Sequence, residues 1–471
     1  MTAPDYFGKD SLEHAVRKIF NYYGYGVSAL NLIKNIGIVS EKSGLKLFLI
    51  GGFPRDVIIY ILKLKAETAA NYKFSEIFKN NHGLLDLDIA VEGNAEKLAC
   101  LIKEDKNLKS TLNSLKIHKR FGTALTEFSV NDKPLKIDFA SFRTEIYAKS
   151  GMLPEVDMSA ATLKSDIFRR DFTINTLAFS INSANFFEIK NYSSGISDIL
   201  NKKIKVLHNL SFIDDPTRIF RAVRFEKRLT FHMDRKTLKL IKTAIEKKVM
   251  DNVSGKRITA ELYLLFKENS PEIYFERLEK LNILSSIYIK LKFLKKNKII
   301  FKRIRRYFNN EICKDIDVKI FYIAGFFYGL SEYELREAAE RLNLGNKIEE
   351  DIKKFFSDIN KINSLKINNT GIYDKLNKIN YKSILFYLFE DEGKEKADLN
   401  FRKIIVRYLE KTVSAKPFLN GNDIKSLGVC EGPLCGKILN EVKLLKIAGK
   451  LKYKEDEIEY VKSKYLEYLK K

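Results

Sequence analysis

The feature that most constrains the fold is a change of pattern near residue 205. Before it, short β-compatible runs alternate with helical segments, as in LKLFLIGGFPRDVIIYIL at residues 45–62. Beyond it, long stretches carry Leu, Ile, Phe and Tyr at the three- and four-residue spacing of helices. This order predicts an α/β or α+β domain followed by an all-helical remainder.

The first part of the chain contains four recognisable strand segments. Residues 45–62 predict a strand, a glycine turn and a helix, and LLDLDIAVE at 84–92 predicts a second strand. Two more strands are expected at 124–130 and 135–140, and a helix is expected over 27–44. These elements leave the domain class open between α/β and α+β.

Composition narrows the functional classes. The chain has 471 residues, enough for about three domains, and its net charge is +24. Because the excess is spread along the whole chain, it suits a polyanion contacted by several domains, although a compositional bias toward lysine fits as well. Four cysteines do not make a disulfide scaffold, and the longest uncharged apolar run, 320–330, is too short for a bilayer. With no signal-peptide pattern at the start, a cytoplasmic setting is expected.

Asp86 and Asp88 lie two residues apart in a predicted strand. Because side chains alternate along a strand, both carboxylates face the same side of the sheet. Two such groups repel unless a cation lies between them, and hard divalent cations such as Mg²⁺ prefer carboxylate oxygens. The pair is therefore a candidate metal site, and a solvent-facing sheet edge is the alternative.

Gly51 and Gly52 separate the first strand from the helix that follows. A glycine pair lets backbone N–H groups approach a phosphate, and a helix N-terminus favours negative charge. Arg55 adds a full positive charge in the first turn of that helix. The segment predicts a phosphate-binding turn, while a tight turn with no ligand is the alternative.

Arg169 and Arg170 are followed by Asp171 and Asn175. On a helix Asp171 and Asn175 would share a face, where they can bond ribose hydroxyls. Arginine offers planar, bidentate contacts to phosphate. An ordinary charged helix start is the alternative.

Asp215 and Arg218 lie three residues apart at a predicted helix opening that contains Pro216. An intrahelical ion pair would explain them. A sharper interpretation is that the carboxylate accepts from the exocyclic amine of cytosine or adenine while the guanidinium donates to the adjacent ring nitrogen. Uracil and guanine present the opposite pattern, so such a pair would select C and A without a nucleic-acid template.

These clusters, in this order, resemble the class II tRNA nucleotidyltransferase (CCA-adding enzyme) and poly(A) polymerase family. The resemblance rests on GGFPRD (51–56), LDLDIAVEG (85–93), RRDFTINTLAFSI (169–181) and DDPTRIFRAVRFEKRL (214–229). Residues 137–156 and 191–209 look like the family's flexible loop and hinge, and 419–439 like a C-terminal signature of many CCA-adding members. Pro54 and Lys205 depart from the usual pattern.

The resemblance implies a nucleotidyltransferase (polymerase-β-like) head with a small mixed sheet, followed by an all-α neck, body and tail. The implied ranges are an N-terminal extension at 1–26, a catalytic head at 27–205, a base-recognising, RNA-binding neck at 206–272, and a tRNA-binding body and tail at 273–471.

The resemblance also implies site residues. Asp86 and Asp88 match the catalytic carboxylates that hold two Mg²⁺ ions, with Asp138 as an accessory ligand. Asp171 and Asn175 match ribose contacts. The residues that match the nucleotide site as a whole are Gly51, Gly52, Arg55, Arg170, Asp171, Asn175, Asp215, Arg218, Arg221 and Arg224.

The implied activity is two-metal transfer of C and A from CTP and ATP to the 3′ end of tRNA, whose acceptor arm would lie on the helical part. A basic, aromatic segment near 291–308 offers candidate RNA contacts, with the solvated face of an ordinary helix as the alternative. These candidates are Lys295, Lys296, Arg303, Arg305 and Arg306.

Full CCA addition is the main prediction, and A-only addition or poly(A) synthesis are the alternatives. The intact loop at 141–156 disfavours a CC-only enzyme, and the signature at 419–439 disfavours a poly(A) polymerase. An RNA-binding module without catalysis, or a nucleotide-sensing regulator, would not need the complete set of groups. Cys430 and Cys435 lack further ligands nearby, so a structural role is favoured over zinc binding.

Overall fold

The structure is a computed structural model. It describes residues 7–66, 85–308, 313, 316–365, 372–390, 396–414, 417–429, 432–447 and 450–465. The chain divides into two compact units, one comprising residues 1–269 and 280–287 and the other 270–279 and 288–471. The first unit therefore takes in most of the predicted neck along with the head. Among the described residues, no helix has both the length and the apolar character needed to cross a membrane.

The first unit contains a seven-stranded sheet and two two-stranded sheets. Its strands are β1 Lys46–Ile50, β2 Asp86–Glu92, β3 Leu112–His118, β4 Thr123–Val130, β5 Lys133–Ser141, β6 Thr144–Ile146, β7 Glu155–Asp157, β8 Ala178–Ser180, β9 Ile189–Lys190, β10 Lys203–Ile204 and β11 His232–Met233.

The helices of the first unit range from 4 to 16 residues in length. In the first unit they are α1 Lys9–Tyr23, α2 Gly26–Glu41, α3 Gly52–Ala66, α4 Ala95–Glu104, α5 Lys106–Thr111, α6 Leu163–Phe168, α7 Gly195–Leu200, α8 Ser211–Asp214, α9 Arg218–Arg228, α10 Arg235–Glu246, α11 Gly255–Phe266 and, following α12 of the second unit, α13 Ile283–Ile287.

The large sheet has the strand order β3-β4-β5-β2-β1-β8-β9. Strand β2 pairs parallel with β5 and antiparallel with β1, so the sheet is mixed. In β2 the side chains of Leu87 and Ile89 are buried, whereas those of Asp86 and Asp88 are exposed. The alternation of apolar and acidic residues thus sets which face of the strand joins the core. The predicted α+β class and mixed sheet are confirmed.

The turn between β1 and α3 follows the predicted design. Strand β1 buries four of its five residues, and Gly51 then adopts a positive φ of 77°. This backbone conformation is strained for residues with a Cβ, so glycine is favoured there. Pro54 lies in the first turn of α3, where its missing N–H removes no helical hydrogen bond. The strand, glycine turn and helix predicted at 45–62 are all present.

One local prediction is wrong. Residues 171–175 do not lie on a regular helix, because α6 ends at Phe168 and Phe172 is extended, with φ −133° and ψ 149°. A short 3₁₀ turn at Thr173–Asn175 follows. Asp171 and Asn175 nevertheless come together, since the Asn175 Nδ2 donates to Asp171 Oδ1 at 3.0 Å.

The segment predicted as an N-terminal extension contributes a packed helix. The apolar face of α1 packs against α2 and α3, and the ring centroids of Phe20 and Phe53 are 5.5 Å apart. This contact ties α1 to the helix that follows the glycine turn.

The second unit is helical throughout its described residues. Its helices are α12 Pro271–Lys280, α14 Lys295–Tyr307, α15 Lys319–Phe327, α16 Glu332–Arg341, α17 Asn346–Ser364, α18 Ile372–Leu376, α19 Tyr381–Glu390, α20 Lys396–Ser414, α21 Gly421–Ser426, α22 Pro433–Ile447 and α23 Lys454–Lys464. Buried aromatic rings form much of its core, as in the stacked pair Phe321 and Phe355 at 5.7 Å. Cys435 is buried in an apolar cluster of the last helices, while Cys430 lies outside the described residues.

Candidate functional site

Three carboxylates lie on the exposed face of the central strands. The pairing of β2 with β5 sets Asp88 directly opposite Asp138, and Asp86 lies two residue pairs along the same strand. Desolvation raises the pKa of Asp88, which Arg170 lowers in part, and Asp138 and Asp86 raise it further. Desolvation and Asp86 likewise raise the pKa of Asp138. Among the described residues no group of three acids, cysteines or histidines forms a ready-made metal cage. The carboxylates are thus neighbours that repel one another.

The glycine turn brings this acidic face to an arginine. A Cβ placed on Gly51 would lie 3.4 Å from Asp88 Oδ2 and 3.9 Å from Arg170 Nη1. The backbone of the turn therefore runs between an acid of the sheet and a guanidinium of the segment after α6. Arg170 Nη2 also donates to the buried carboxylate of Asp166 at 2.9 Å, which holds it in place.

Arg55 is buried beneath the site. Its Nε donates to Asp56 at 2.8 Å, its Nη1 donates to Asn175 Oδ1 at 2.8 Å, and its guanidinium lies 5.2 Å from the ring centroid of Phe225. With its nitrogens bonded in this way, Arg55 orients Asn175, and a phosphate would have to displace these partners to reach it.

Asp171 is an acid of the site whose two carboxylate oxygens both accept hydrogen bonds. Its Oδ1 accepts from the Phe172 backbone and from Asn175, and its Oδ2 accepts from Arg221 Nε at 2.8 Å and Nη2 at 2.6 Å. Burial alone would raise the pKa of this carboxyl, but Arg221 and the bond from Asn175 hold it at about 2. Asp171 thereby fixes Arg221, whose side chain is partly exposed to the site.

The side chains of Asp215 and Arg218 share no hydrogen bond or ion pair in the described part of the chain, although the Arg218 backbone N–H donates to the Asp215 carbonyl at 3.1 Å. Asp215 lies before α9 with an extended backbone, so its side chain does not follow helical geometry. Its Oδ1 accepts from Thr217 N at 3.1 Å, Thr217 Oγ1 at 2.6 Å and Arg257 Nη2 at 2.8 Å. The ion-pair partner of Asp215 is Arg257, a residue that the sequence motifs did not single out.

The guanidinium of Arg218 is held by other groups. Its Nη2 donates to the Arg169 carbonyl at 2.9 Å and to the Tyr147 hydroxyl at 3.3 Å, and its Nη1 donates to Ser211 Oγ at 2.9 Å. Desolvation and Glu145 raise the pKa of Tyr147 to about 12, so its hydroxyl stays protonated at neutral pH. Arg218 thus connects three parts of the chain: the loop over residues 141–156, the segment that follows α6, and helix α8.

Arg257 connects Asp215 to the loop over residues 141–156. Its Nη1 donates to the Gly151 carbonyl at 2.5 Å while its Nη2 holds Asp215. The adjacent loop residue, Ser150, donates from Oγ to the Ile213 carbonyl at 2.5 Å. One guanidinium therefore bridges the loop over residues 141–156 and the candidate base-reading acid.

Glu261 lies one turn beyond Arg257 on α11. Its Oε2 is 3.8 Å from Arg224 Nη1 and has no hydrogen-bond partner among the described residues. Desolvation raises the pKa of Glu261, against the lowering effect of Arg224. In the sequence, the only sign that this helix contributes to the site was the opposite-charge pair Arg257 and Glu261 at i, i+4 spacing. Such pairs are common on solvated helix faces, so the pair did not single the helix out.

These groups surround one cavity of about 460 Å³. It brings together five of the residues predicted for the nucleotide site, Arg170, Asp171, Asp215, Arg218 and Arg221. It adds Arg257 and Glu261 from α11. Its full lining is Glu145, Tyr147, Arg169, Arg170, Asp171, Asp215, Thr217, Arg218, Arg221, Arg257, Ala260 and Glu261.

The candidate RNA contacts of the second unit differ in their availability. Lys296 pairs with Glu390 at 2.8 Å, Arg305 with Glu272 at 3.1 Å, and Arg303 donates to the carbonyl groups of Phe389 and Glu390. Two of the five, Lys295 and Arg306, have exposed side chains.

Comparison with known protein families identifies two domains. Residues 47–205 match the "Poly A polymerase head domain", and residues 230–292 match the "Probable RNA and SrmB- binding site of polymerase A". The mixed sheet with its exposed acids and glycine turn defines a nucleotidyltransferase head of the polymerase-β-like type, joined to a mostly helical remainder. The chain therefore carries the head and RNA-binding domains of the poly(A) polymerase family, to which the sequence motifs also pointed.

Similarity to known proteins extends beyond these two domains. The chain is 28% identical over 440 residues to the A-adding tRNA nucleotidyltransferase of Geobacter sulfurreducens, covering 91% of this chain but 46% of that protein. It is 29% identical over 441 residues to the A-adding tRNA nucleotidyltransferase of Halalkalibacterium halodurans, covering 92% of each. It shares the fold of a solved CCA-adding enzyme in its apo form, with 24% identity, a TM-score of 0.67, and coverage of 92% of this chain and 95% of that one.

Proposed function

We propose that this chain is a template-independent tRNA nucleotidyltransferase that adds C and A from CTP and ATP to the tRNA 3′ end. The observation that carries the proposal is the junction of the acidic sheet face with the arginine-lined cavity. Gly51 forms that junction, since a Cβ placed on it would lie within 4 Å of both Asp88 and Arg170. An acidic face and a phosphate-binding arginine cluster are both needed to handle a nucleoside triphosphate with its metal.

The carboxylates of Asp86, Asp88 and Asp138 fit Mg²⁺. They are exposed on one face, and the pKa values of Asp88 and Asp138 are raised in part by neighbouring carboxylates, a repulsion that divalent cations would relieve. When bound, two Mg²⁺ ions would supply activation of the 3′-hydroxyl and neutralisation of the triphosphate. Hard cations of this kind accept carboxylate oxygen readily.

The cavity arginines suit the triphosphate. Arg170 reaches the glycine turn beside Asp88, and Arg221 is held by Asp171 while part of its side chain stays exposed. Guanidinium groups that are already oriented lose little freedom when they bind phosphate oxygens. We therefore assign triphosphate binding to these two arginines and the turn, and assign to Arg55 the positioning of Asn175.

Asp215 and Arg218 are proposed to read the base. The Oδ1 atom of Asp215 already accepts three hydrogen bonds, which leaves Oδ2 to accept from the exocyclic amine of cytosine or adenine. Arg218 would donate to the ring nitrogen after exchanging one of its present partners, such as the Tyr147 hydroxyl at 3.3 Å.

A-only addition is the second candidate. Two relatives that align with more than nine-tenths of this chain are named A-adding tRNA nucleotidyltransferases. Because both activities use the same reacting groups, the residues of the cavity do not distinguish them. Poly(A) synthesis remains the third alternative, and the predicted cytoplasmic setting remains a prediction.

The experiment that separates these activities uses two RNA substrates with labelled CTP or ATP. One tRNA lacks the whole CCA end and the other ends in CC. Full CCA addition predicts incorporation of C into the first and A into the second. A-only addition predicts A on the second alone, and a poly(A) polymerase would extend with many adenosines. The absence of any incorporation would refute the proposed activity.

A further inference from the structure

Glu261 is an acid of the cavity wall with a buried oxygen that lacks a hydrogen bond. Its side chain lines the cavity and is 15% exposed, yet its Oε2 accepts no hydrogen bond from any residue that the structure describes. Arg224 Nη1 lies 3.8 Å from that oxygen, beyond hydrogen-bond distance, and Arg224 Nε is itself buried with no hydrogen-bond partner within the same ranges. Buried polar atoms without hydrogen bonds are costly, so this pair calls for an explanation, such as a ligand.

The other three acids in the lining of the cavity already have donors. Glu145 accepts at Oε1 from two arginines and at Oε2 from the Tyr147 hydroxyl at 3.1 Å. Asp171 accepts four hydrogen bonds, and the Oδ1 atom of Asp215 accepts three. The remaining oxygen of Asp215 is the one assigned above to the amine of the base. Glu261 is therefore the acid of this lining that the described residues leave without a donor.

The two residues that the sequence resemblance assigned to the ribose are engaged with the protein. Asp171 and Asn175 are only 7% and 6% exposed. The four hydrogen bonds to Asp171 use the acceptor capacity of its two oxygens. The Asn175 Nδ2 donates to Asp171 at 3.0 Å, and its Oδ1 accepts from Arg55 at 2.8 Å. A ribose hydroxyl in the cavity therefore needs a different acceptor.

The charges around Glu261 indicate which part of a nucleotide it faces. Burial raises the pKa of Glu261, Arg224 and Arg221 lower it, and Asp215 raises it, so all three charged groups lie close to this carboxyl. Arg221 is assigned to the triphosphate and Asp215 to the base. The ribose joins these two parts of a nucleoside triphosphate, so a group that neighbours both contacts is placed to face the ribose.

We propose that the carboxylate of Glu261 accepts a hydrogen bond from the 2′-hydroxyl of the incoming nucleotide and so selects ribonucleotides over deoxyribonucleotides. The inference rests on the proposed function and deepens it, because it names the residue that recognises the sugar. A hydroxyl donor to a carboxylate forms a strong, charge-assisted hydrogen bond. A 2′-deoxynucleotide would leave the acceptor without that donor, which is how a site built for a hydroxyl rejects the analogue that lacks it.

The test measures kcat/KM for addition to a tRNA ending in CC with ATP, 2′-deoxyATP and 3′-deoxyATP in turn. Wild type should prefer ATP to 2′-deoxyATP by at least roughly 100-fold. In Glu261→Ala this preference should fall roughly 10- to 100-fold, because a hydrogen bond to a charged acceptor is lost for ATP alone. The preference for ATP over 3′-deoxyATP should stay within about threefold of wild type, since that hydroxyl is not the one assigned.

Two further variants serve as controls. Glu261→Gln keeps an oxygen acceptor without the charge, so its preference for ATP over 2′-deoxyATP should lie between those of Glu261→Ala and wild type. Glu246→Ala removes an acid on α10 that is 61% exposed and should leave the preference unchanged. Alanine is the best helix former, so α11 and α10 should remain folded, which circular dichroism and the thermal midpoint check.

An unchanged preference for ATP over 2′-deoxyATP in Glu261→Ala would overturn the inference, even if activity with both nucleotides fell. That result would show that Glu261 only ties α11 to Arg224 of α9. A loss of preference against 3′-deoxyATP instead of 2′-deoxyATP would overturn it too, as would Glu261→Gln discriminating no better than Glu261→Ala.

The failure of the proposed activity would be visible separately. If wild type adds no nucleotide to either tRNA end, the activity is refuted, and the dissociation constants of ATP and 2′-deoxyATP with Mg²⁺ then test the ribose contact. Tighter binding of ATP by wild type that is lost in Glu261→Ala would support the contact without the activity. Equal binding of both nucleotides by wild type, or binding of neither, would overturn the contact as well.

Discussion

The carboxylates on β2 and β5 and the carboxylate of Asp171 lie in one unit but in opposite electrostatic settings. Asp88 and Asp138 face each other on an exposed strand face, where desolvation and neighbouring acids raise their pKa values. Asp171 is buried and accepts four hydrogen bonds, two of them from Arg221, which lower its pKa to about 2. The negative charges of Asp88 and Asp138 are only partly balanced by neighbouring cations, whereas the charge of Asp171 is balanced by Arg221.

This difference distinguishes carboxylates that are suited to bind a ligand from carboxylates that stabilise the fold. A carboxylate whose charge is opposed by its neighbours destabilises the folded state and is retained where a ligand compensates. A carboxylate whose charge is matched by buried arginine contributes stability. Replacing an acid of the first kind should therefore reduce activity more than stability, and replacing an acid of the second kind should reduce stability.

The largest expected effect is on activity in Asp88→Asn. Loss of one charge from the strand pair should reduce nucleotide incorporation at least roughly 100-fold, since charge stabilisation at the reacting phosphate is lost. The free energy of unfolding should not fall, because the substitution relieves repulsion with Asp138 and Asp86. Incorporation of labelled nucleotide and urea unfolding measure the two quantities. A destabilised variant would show that the acids are structural.

Asp171→Asn should show the reverse pattern in stability. A buried carboxyl with a folded pKa of about 2 and an unfolded pKa of about 3.9 contributes about 3 kcal/mol at neutral pH. That contribution is present above pH 4 and disappears as the pH falls from about 4 to 2. Unfolding of wild type and variant across this range should therefore converge at low pH. A constant difference would contradict the ion-pair explanation.

Arg257→Lys tests the bridge between the loop and Asp215. Lysine keeps the charge but cannot donate from two nitrogens of one planar group to Gly151 and Asp215. The KM for the nucleotide should rise about tenfold, an effect of one or two hydrogen bonds. Lys256→Ala, an exposed neighbour on α11, serves as the control. Equal KM values for the two variants would show that Arg257 does not contribute to nucleotide binding.

Gly51→Ala and Gly44→Ala form a pair with the smallest expected difference in stability. Both glycines have positive φ, 77° and 70°, so each substitution should cost about 1 kcal/mol. Only the methyl at residue 51 would lie near Asp88 and Arg170, since a Cβ at Gly44 meets nothing within 4 Å. Nucleotide incorporation should fall several-fold in Gly51→Ala alone. Equal activity in both variants would argue against backbone–phosphate contact at the turn.

Much of the first unit could be predicted from sequence because its signals are local. Strands β1 and β2 are apolar runs bounded by glycine or by alternating acids, and the turn at Gly51 requires a residue without Cβ. Strand β3 is partly exposed along its length and β8 has only three residues, so neither carries a clear period.

Site residues that belong to a sequence motif could be predicted, whereas those that only the tertiary structure brings to the site could not. Asp88, Arg170 and Asp215 were identified from their motifs. Arg257 and Glu261 lie on α11, an ordinary amphipathic helix in sequence, and only the tertiary structure brings them to the cavity. That the side chains of Asp215 and Arg218 do not pair was not predictable either, because it depends on an extended residue just before a helix.

The most direct test offers the wild-type protein all four labelled nucleoside triphosphates in competition, with Mg²⁺ and a tRNA shortened at its 3′ end. The account predicts incorporation of C or A, according to the RNA end supplied, with U and G excluded. Indifferent incorporation of all four, or none in the presence of folded protein and intact RNA, would contradict it.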